Sequence, residues 1–367
     1  MHPLALHEFH HELNARFGEL NEHEIVRDYG DIPAEYSALR ESAGVLDLSF
    51  RSRVCLVGAD RVRFLHGQVT NDIKRLRAGE GCYAALVTAK GKMQSDLNIY
   101  CLQDELLLDF EPGLTGVVSE RLEKFVVADD VQIVDVAALY GLLSVQGPKA
   151  ESVARGVGLF AEIPGAPFRF VKFTDETLGE IYLMNQPRLG SVGFDFFVPT
   201  NSLGAVADKL IAAAKTIGGR AGGWDAFEIS RIESGIPRFG ADMDESHLAA
   251  ECGIENRAIS YNKGCYIGQE VLNRIHSIGR VNRELRRLRL PNTLIHLPEK
   301  GDKLFRDGKE VGYVTSATKS PIQNEISTIG YVRREAFEPG TVLVLQMQSG
   351  SCDATILEPF SGPIGNL

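Results

Sequence analysis

RVCLVGADRVRFLHGQVTNDIKRLRAGEGCYAALVTAKGKMQSDLNIYCLQDELLLDF, residues 53–110, decides the fold class. Short apolar and β-branched runs, VCLVG, CYAALVT, LNIYCL and LLLDF, alternate with a stretch of helical period, ADRVRFLHGQV. Runs of this length bounded by Gly, Asp and Asn read as strands, whereas apolar residues three and four apart read as a helix. Repeated strand, helix, strand units imply α+β sheets.

Working outward, LTGVVSERLEKFVV extends the helical share, and a second cycle runs from LYGLLSVQG through KAESVARGV to FDFFVP. LGAVADKLIAAAKTIGG predicts a helix with a Gly stop, and another helix begins near Asp225. At the other end, Leu4 to Leu20 predicts one amphipathic opening helix that carries His7, His10 and His11. No Cys or carboxylate completes a metal set around these histidines, so they are given no role. After Arg280 the text turns to strands separated by Gly, Pro, Asn and Asp, which predicts a separate small β-barrel. The expected division is 1–280, with a subdomain around 140–220, and 281–367.

A chain of 367 residues with 44% hydrophobic residues can fill the cores of two or three domains. Its formal net charge of −10 argues against a general polyanion binder, so no direct nucleic-acid binding is expected. No apolar run approaches the roughly 18 residues of a membrane span, and the first residues lack a signal peptide's basic end and apolar core. A cytoplasmic protein without membrane contact is expected. Six scattered cysteines without a CxxC pair read as reduced thiols. GVGLFA, residues 156–161, fits a dinucleotide fingerprint, but Pro164 and Pro167 break any helix after it, and a Rossmann site is rejected.

The densest motif is NKGCYIGQE, residues 262–270, ahead of a probable helix. Gly264 and Gly268 allow an irregular backbone that exposes Cys265. The neighbouring Lys263 and the positive end of the following helix would both favour a thiolate. A buried, inert cysteine is the ordinary alternative on local grounds.

KGCYIGQE resembles the signature of the YgfZ family, folate-binding proteins implicated in iron–sulfur cluster upkeep. YSALRESAGVLDLS, FLHGQVTNDI, YAALVTAKGKMQSDL, the G-x-x-G-F-D of Gly190 to Asp195, SRIESGIPRFGAD and EVGYVTSATKSP resemble, in order, the related glycine-cleavage T-protein (aminomethyltransferase) family. The resemblance implies an α+β body of two intertwined subdomains followed by an antiparallel β-barrel, with tetrahydrofolate in a central hole. It implies that Tyr83, Asp96 and Glu233 contact the folate, with Lys263 in the same set, and that Cys265 and Asp96 are the working residues. It further implies support for the assembly or repair of iron–sulfur enzymes, including tRNA-modifying ones, with those enzymes as partners. The alternative is a folate-dependent aminomethyltransferase or demethylase. Cys265 stands where T-proteins usually carry an aspartate, and Asp96 follows Ser95 where they carry an acid pair, so the resemblance implies a kept pocket with altered chemistry.

One further feature is the run Arg274, Arg280, Arg283, Arg286, Arg287 and Arg289. A charged strand edge, a patch for the polyglutamyl tail of folate and a patch for RNA phosphate all fit it.

Overall fold

The computed structural model describes residues 1–279, 281–323 and 325–358. Two sheets stack face to face, with helices on their outer faces. The first sheet orders its strands Glu80–Val87, Met93–Cys101, Leu106–Phe110, Ser52–Val57 and Gln132–Asp135. Period-two alternation divides their side chains: Cys82, Ala84 and Leu86 turn outward to Phe64 and Leu65 of helix Arg61–Gln68 and to Val118 and Leu122 of helix Thr115–Glu123. Tyr83, Ala85 and Val87 turn inward to the core that the two sheets share.

The second sheet orders Phe170–Asp175, Gly179–Asn185, Gly193–Pro199, Tyr140–Gln146, Gly44–Asp47 and Arg220–Ala221. Leu203, Val206, Ala207, Leu210, Ile211 and Ala214 form one apolar stripe of helix Leu203–Thr216 and pack on the outer face of this sheet. The sheet is not confined to 140–220. Gly44–Asp47 enters from upstream and pairs antiparallel with Tyr140–Gln146, which is what interlocks the two halves of the body.

The barrel closes through Arg283–Leu290, Ile326–Arg333, Lys309–Lys319, Lys303–Arg306, Val342–Met347 and Gly350–Ile356, with Leu288 opposite Ile356 at the seam. Leu288, Leu304, Val314, Val332, Leu345 and Ala354 fill its interior. Closure leaves no free sheet edge. No helix among the described residues is long and apolar enough to cross a membrane.

The opening segment departs from the single helix expected over Leu4 to Leu20. Only His7–Glu12 is helical; Asn14 adopts φ +61°, and Arg16–Leu20 pairs with His23–Asp28 as a hairpin. A left-handed residue ends a helix, and tertiary burial of Ile25 and Val26 outweighs the helical spacing. His10 is buried, with Nε2 2.9 Å from Asp47 Oδ2, and is a packing residue.

Candidate functional site

A cleft opens where the interface between the sheets changes from apolar to polar. Register explains why. Tyr83 faces Asn98 and Ala85 faces Asp96 across one strand pair, while Asn98 faces Asp109 across the next, so these side chains share the inner face. Tyr83 Oη donates to Asp96 Oδ2 at 2.8 Å. Burial, reinforced by the charge of Glu111, pushes the Asp96 carboxyl above its ordinary value. Asp96 has no basic side chain within ion-pair distance among the described residues, which leaves it as the cleft's unpaired acid.

Gln186 completes the polar wall. Its Nε2 donates to Asn98 Oδ1 at 3.0 Å, whereas its buried Oε1 has no partner. An unmet buried acceptor costs about 1–3 kcal/mol and points to an N–H donor supplied from the cleft. Phe168 and Phe227 form apolar walls. Phe168 sits at φ +61°, a conformation that costs a bulky residue roughly 1–3 kcal/mol and that clusters at functional sites.

Along this wall runs an ion-pair chain with strict alternation of sign, of which Arg51, Glu111, Arg188, Arg231 and Arg238 line the cleft. Asp195, Arg188, Asp109, Arg51, Glu111, Arg238, Glu228, Arg231 and Asp242 are linked at 2.5–3.2 Å. The last member reaches the barrel, because Asp242 Oδ1 accepts from Thr315 Oγ1 at 2.6 Å and Ser316 Oγ at 2.7 Å. Burial and pairing compete along the chain. At Asp109 burial is outweighed by two guanidiniums, Arg51 and Arg188, and the carboxyl lies well below its usual range. At Asp195 burial prevails over Arg188 and the carboxyl is pushed up. Asp96, Asn98 and Tyr83 are thus presented on a rigid, charge-compensated support.

The other expected site residues lie elsewhere. Glu233 lies outside the cleft. On helix Trp224–Glu233 the cleft-facing positions are Phe227 and Arg231, and Glu233 follows Arg231 by two residues, about 200° around the axis. There its Oε2 accepts from Tyr36 Oη at 2.5 Å, while its buried Oε1 has no partner. Lys263 is equally committed: its Nζ donates to the carbonyls of His66, Val69 and Asn71 at 2.6–2.7 Å, and burial lowers it to about 8. It pins the loop to the body and has no donor left for a folate. Cys265 is exposed on that loop, outside the cleft.

The arginine run divides by partner. Arg283 pairs with Glu251 at 3.2 Å and Arg286 with Glu284 at 2.5 Å. Arg287 packs over Gly235, lines a second chamber between body and barrel, and has no carboxylate at ion-pair distance among the described residues. Arg257 lines both that chamber and the cleft, its guanidinium 5.1 Å from the centre of the Tyr83 ring. Arg280 lies outside the described residues.

Sequence reading missed Arg51, Glu111, Gln186, Arg188, Arg231 and Arg238. A signal was available in LLLDF and FDFFV, where Asp109 and Asp195 each stand alone in an apolar strand. A charge in a strand with two buried faces demands a buried partner.

Comparison with known proteins covers nearly the whole chain. Residues 6–263 match the GCVT N-terminal domain, and residues 283–360 match the glycine cleavage T-protein C-terminal barrel domain. An aminomethyltransferase of Halothermothrix orenii is 26% identical over 98% of this chain and 100% of its own length. One from Staphylococcus carnosus is 28% identical over 95% of this chain and 94% of its own. In three dimensions, the glycine cleavage system aminomethyltransferase T of Bartonella henselae superposes with a TM-score of 0.86 at 21% identity, covering 99% of this chain and 98% of the other.

Proposed function

The chain belongs to the glycine cleavage T-protein family, and on that premise we propose that it binds tetrahydrofolate in the cleft between its two sheets. The observation that carries this reading is the pairing of Asp96, a carboxyl without a cation partner among the described residues, and the unfilled acceptor Gln186 Oε1 with aromatic walls at Tyr83, Phe168 and Phe227. A pterin offers adjacent N–H donors on a flat ring, and this set accepts and covers them. Bound there, the folate supplies one-carbon chemistry at its ring nitrogens. Asp96, with its raised pKa, is the residue placed to hold or move a proton at such a nitrogen. Arg257 and Arg287 would face the carboxylates of the glutamyl tail, so folate polyglutamates should lose more affinity than the monoglutamate as salt rises. Equal salt slopes would return both arginines to ordinary surface charge.

Asp96→Asn tests the cleft. Losing the charged acceptor should weaken folate binding by about 1–3 kcal/mol, roughly five- to 150-fold, in calorimetry. The same variant should be more stable than the wild type at neutral pH. A carboxyl whose folded pKa is raised contributes stability below its unfolded pKa, and that contribution is lost as pH rises through the folded value. Unchanged affinity in both Asp96→Asn and Gln186→Leu would remove the cleft as the folate site.

Two uses of the folate follow, each with its own support. The relatives' names favour aminomethyl transfer, which a glycine-cleavage assay with a lipoyl carrier protein tests directly. The KGCYIGQE loop, with the exposed Cys265, supports the YgfZ-type role in assembling or repairing iron–sulfur enzymes. A chain that fails in glycine cleavage, and whose loss lowers iron–sulfur enzyme activity in cells, has the second role.

A further inference from the structure

Two stretches singled out in the sequence, SRIESGIPRFGAD and EVGYVTSATKSP, meet at a buried carboxylate, that of Asp242, which is 1% exposed. Its Oδ2 accepts from Arg231 Nη1 at 2.6 Å and from the backbone N–H of Arg238 at 3.1 Å. Its Oδ1 accepts from Thr315 Oγ1 at 2.6 Å and Ser316 Oγ at 2.7 Å. The first pair of donors belongs to the wall of the cleft and the second to the barrel.

A regular strand could not supply the second pair. Successive side chains alternate between the two faces of a strand, so Thr315 and Ser316 should point apart. The register of Lys309–Lys319 against Ile326–Arg333 shifts between Val314, opposite Gly330, and Ser316, opposite Ile329, which leaves Thr315 as the extra residue of a β-bulge. The bulge brings both hydroxyls to Asp242.

On the body side the wall is built around the same carboxylate. Arg231 commits all five N–H donors, to Glu228 Oε1 and Oε2, Ile236 O, Asp242 Oδ2 and Ser316 Oγ, at 2.6–3.2 Å. Its bond to Ile236 O, and that of Asp242 to Arg238 N, hold the segment 236–238 that lines the cleft. Arg238 in turn covers Trp224, its guanidinium 5.3 Å from the ring centre, and Trp224 stacks at 5.0 Å on Phe227 of the cleft. Among the described residues, every one that lines the cleft belongs to the body, so the barrel acts on the cleft through its contacts with this wall.

We infer that Thr315 and Ser316 are positioning residues of the folate cleft: the bulge of the barrel fixes Asp242 and, through it, Arg231 and the segment 236–238. The inference rests on the cleft reading above for its ligand, and on the hydrogen bonds alone for the wall. Without the two hydroxyls, Asp242 Oδ1 has no donor in a buried site, and the carboxylate must move or draw in water. Either change loosens the hold on Arg231 and Arg238.

Thr315→Val with Ser316→Ala removes both hydroxyls with little change of volume, and Thr315→Ser with Ser316→Thr keeps them. Leu345→Ala, in the barrel interior two strands from the bulge, is the reference for a barrel that is merely weakened. Trp224 is the single tryptophan of the chain, so its emission and its quenching by acrylamide report the cover of Arg238 without any folate. In the hydroxyl-free variant the emission should shift to the red, quenching should rise, and calorimetry should show tetrahydrofolate bound about tenfold more weakly. The hydroxyl-keeping variant should behave as wild type in all three, and Leu345→Ala should lower the melting temperature without changing them. Native emission, quenching and affinity in a folded hydroxyl-free variant overturn the inference, and so does an equal change in Leu345→Ala. If the double variant does not fold, Ser316→Ala alone is read by the same criteria. A wild type that binds no folate removes the cleft reading, and the Trp224 measurements still decide the part played by the barrel.

Discussion

Replacing Arg188 with Met should destabilise the protein by about 3–5 kcal/mol, the largest stability effect expected outside the hydrophobic cores. Arg188 sits between Asp109 and Asp195, at 2.8 and 2.6 Å, with both carboxylates fully buried. Its removal leaves two buried acids without their shared cation. The deficit should be relieved in part by Asp195→Asn in the same chain, because the two sites share one network and their effects do not add. Urea unfolding of the two single variants and the double variant measures this. A loss below about 1 kcal/mol in Arg188→Met would mean that the ion chain is only decoration on the cleft, since surface pairs are worth no more than that.

The second large effect is all-or-none and concerns Cys265. Cys265→Ser should keep a near-native melting temperature, because an exposed side chain contributes little packing, and should bind folate as the wild type does, because the residue lies outside the cleft. In cells lacking the protein it should nevertheless fail to restore iron–sulfur enzyme activity. Cys252 should behave in the opposite way. It is buried and its Sγ accepts from Tyr331 Oη at 3.3 Å, so Cys252→Ala should lower stability while sparing the thiol chemistry. Full complementation by Cys265→Ser would discard the iron–sulfur reading and leave aminomethyl transfer as the use of the folate.

Local sequence determined a good deal of this. Period two in CYAALVT and LLLDF and the apolar stripe of LGAVADKLIAAAKTIGG are properties of neighbouring residues, so the strands, that helix and the barrel's turn-rich text were legible without a partner in view. Tyr83 and Asp96, which line the cleft, were named through the resemblance of YAALVTAKGKMQSDL, and the exposure of Cys265 through two flanking glycines. The opening hairpin was not legible, because its strands are selected by burial against distant residues.

Tertiary structure alone decided the site. Asp195, Asp242 and the pair Asp109 and Glu111 come from three separate segments, and only the stacking of the sheets against each other and the barrel makes them one chain of alternating charge. Glu233 and Lys263 show the same principle in reverse. Both carry charges suited to a ligand, yet a helical offset of two residues turns Glu233 away from the cleft to Tyr36, with its Oε1 left unpartnered there, and three nearby carbonyls capture Lys263. Sequence specifies which groups are present and the period on which they repeat; which of them remain unpaired, and therefore available to a ligand, depends on partners far along the chain that only the packed structure brings within hydrogen-bond distance.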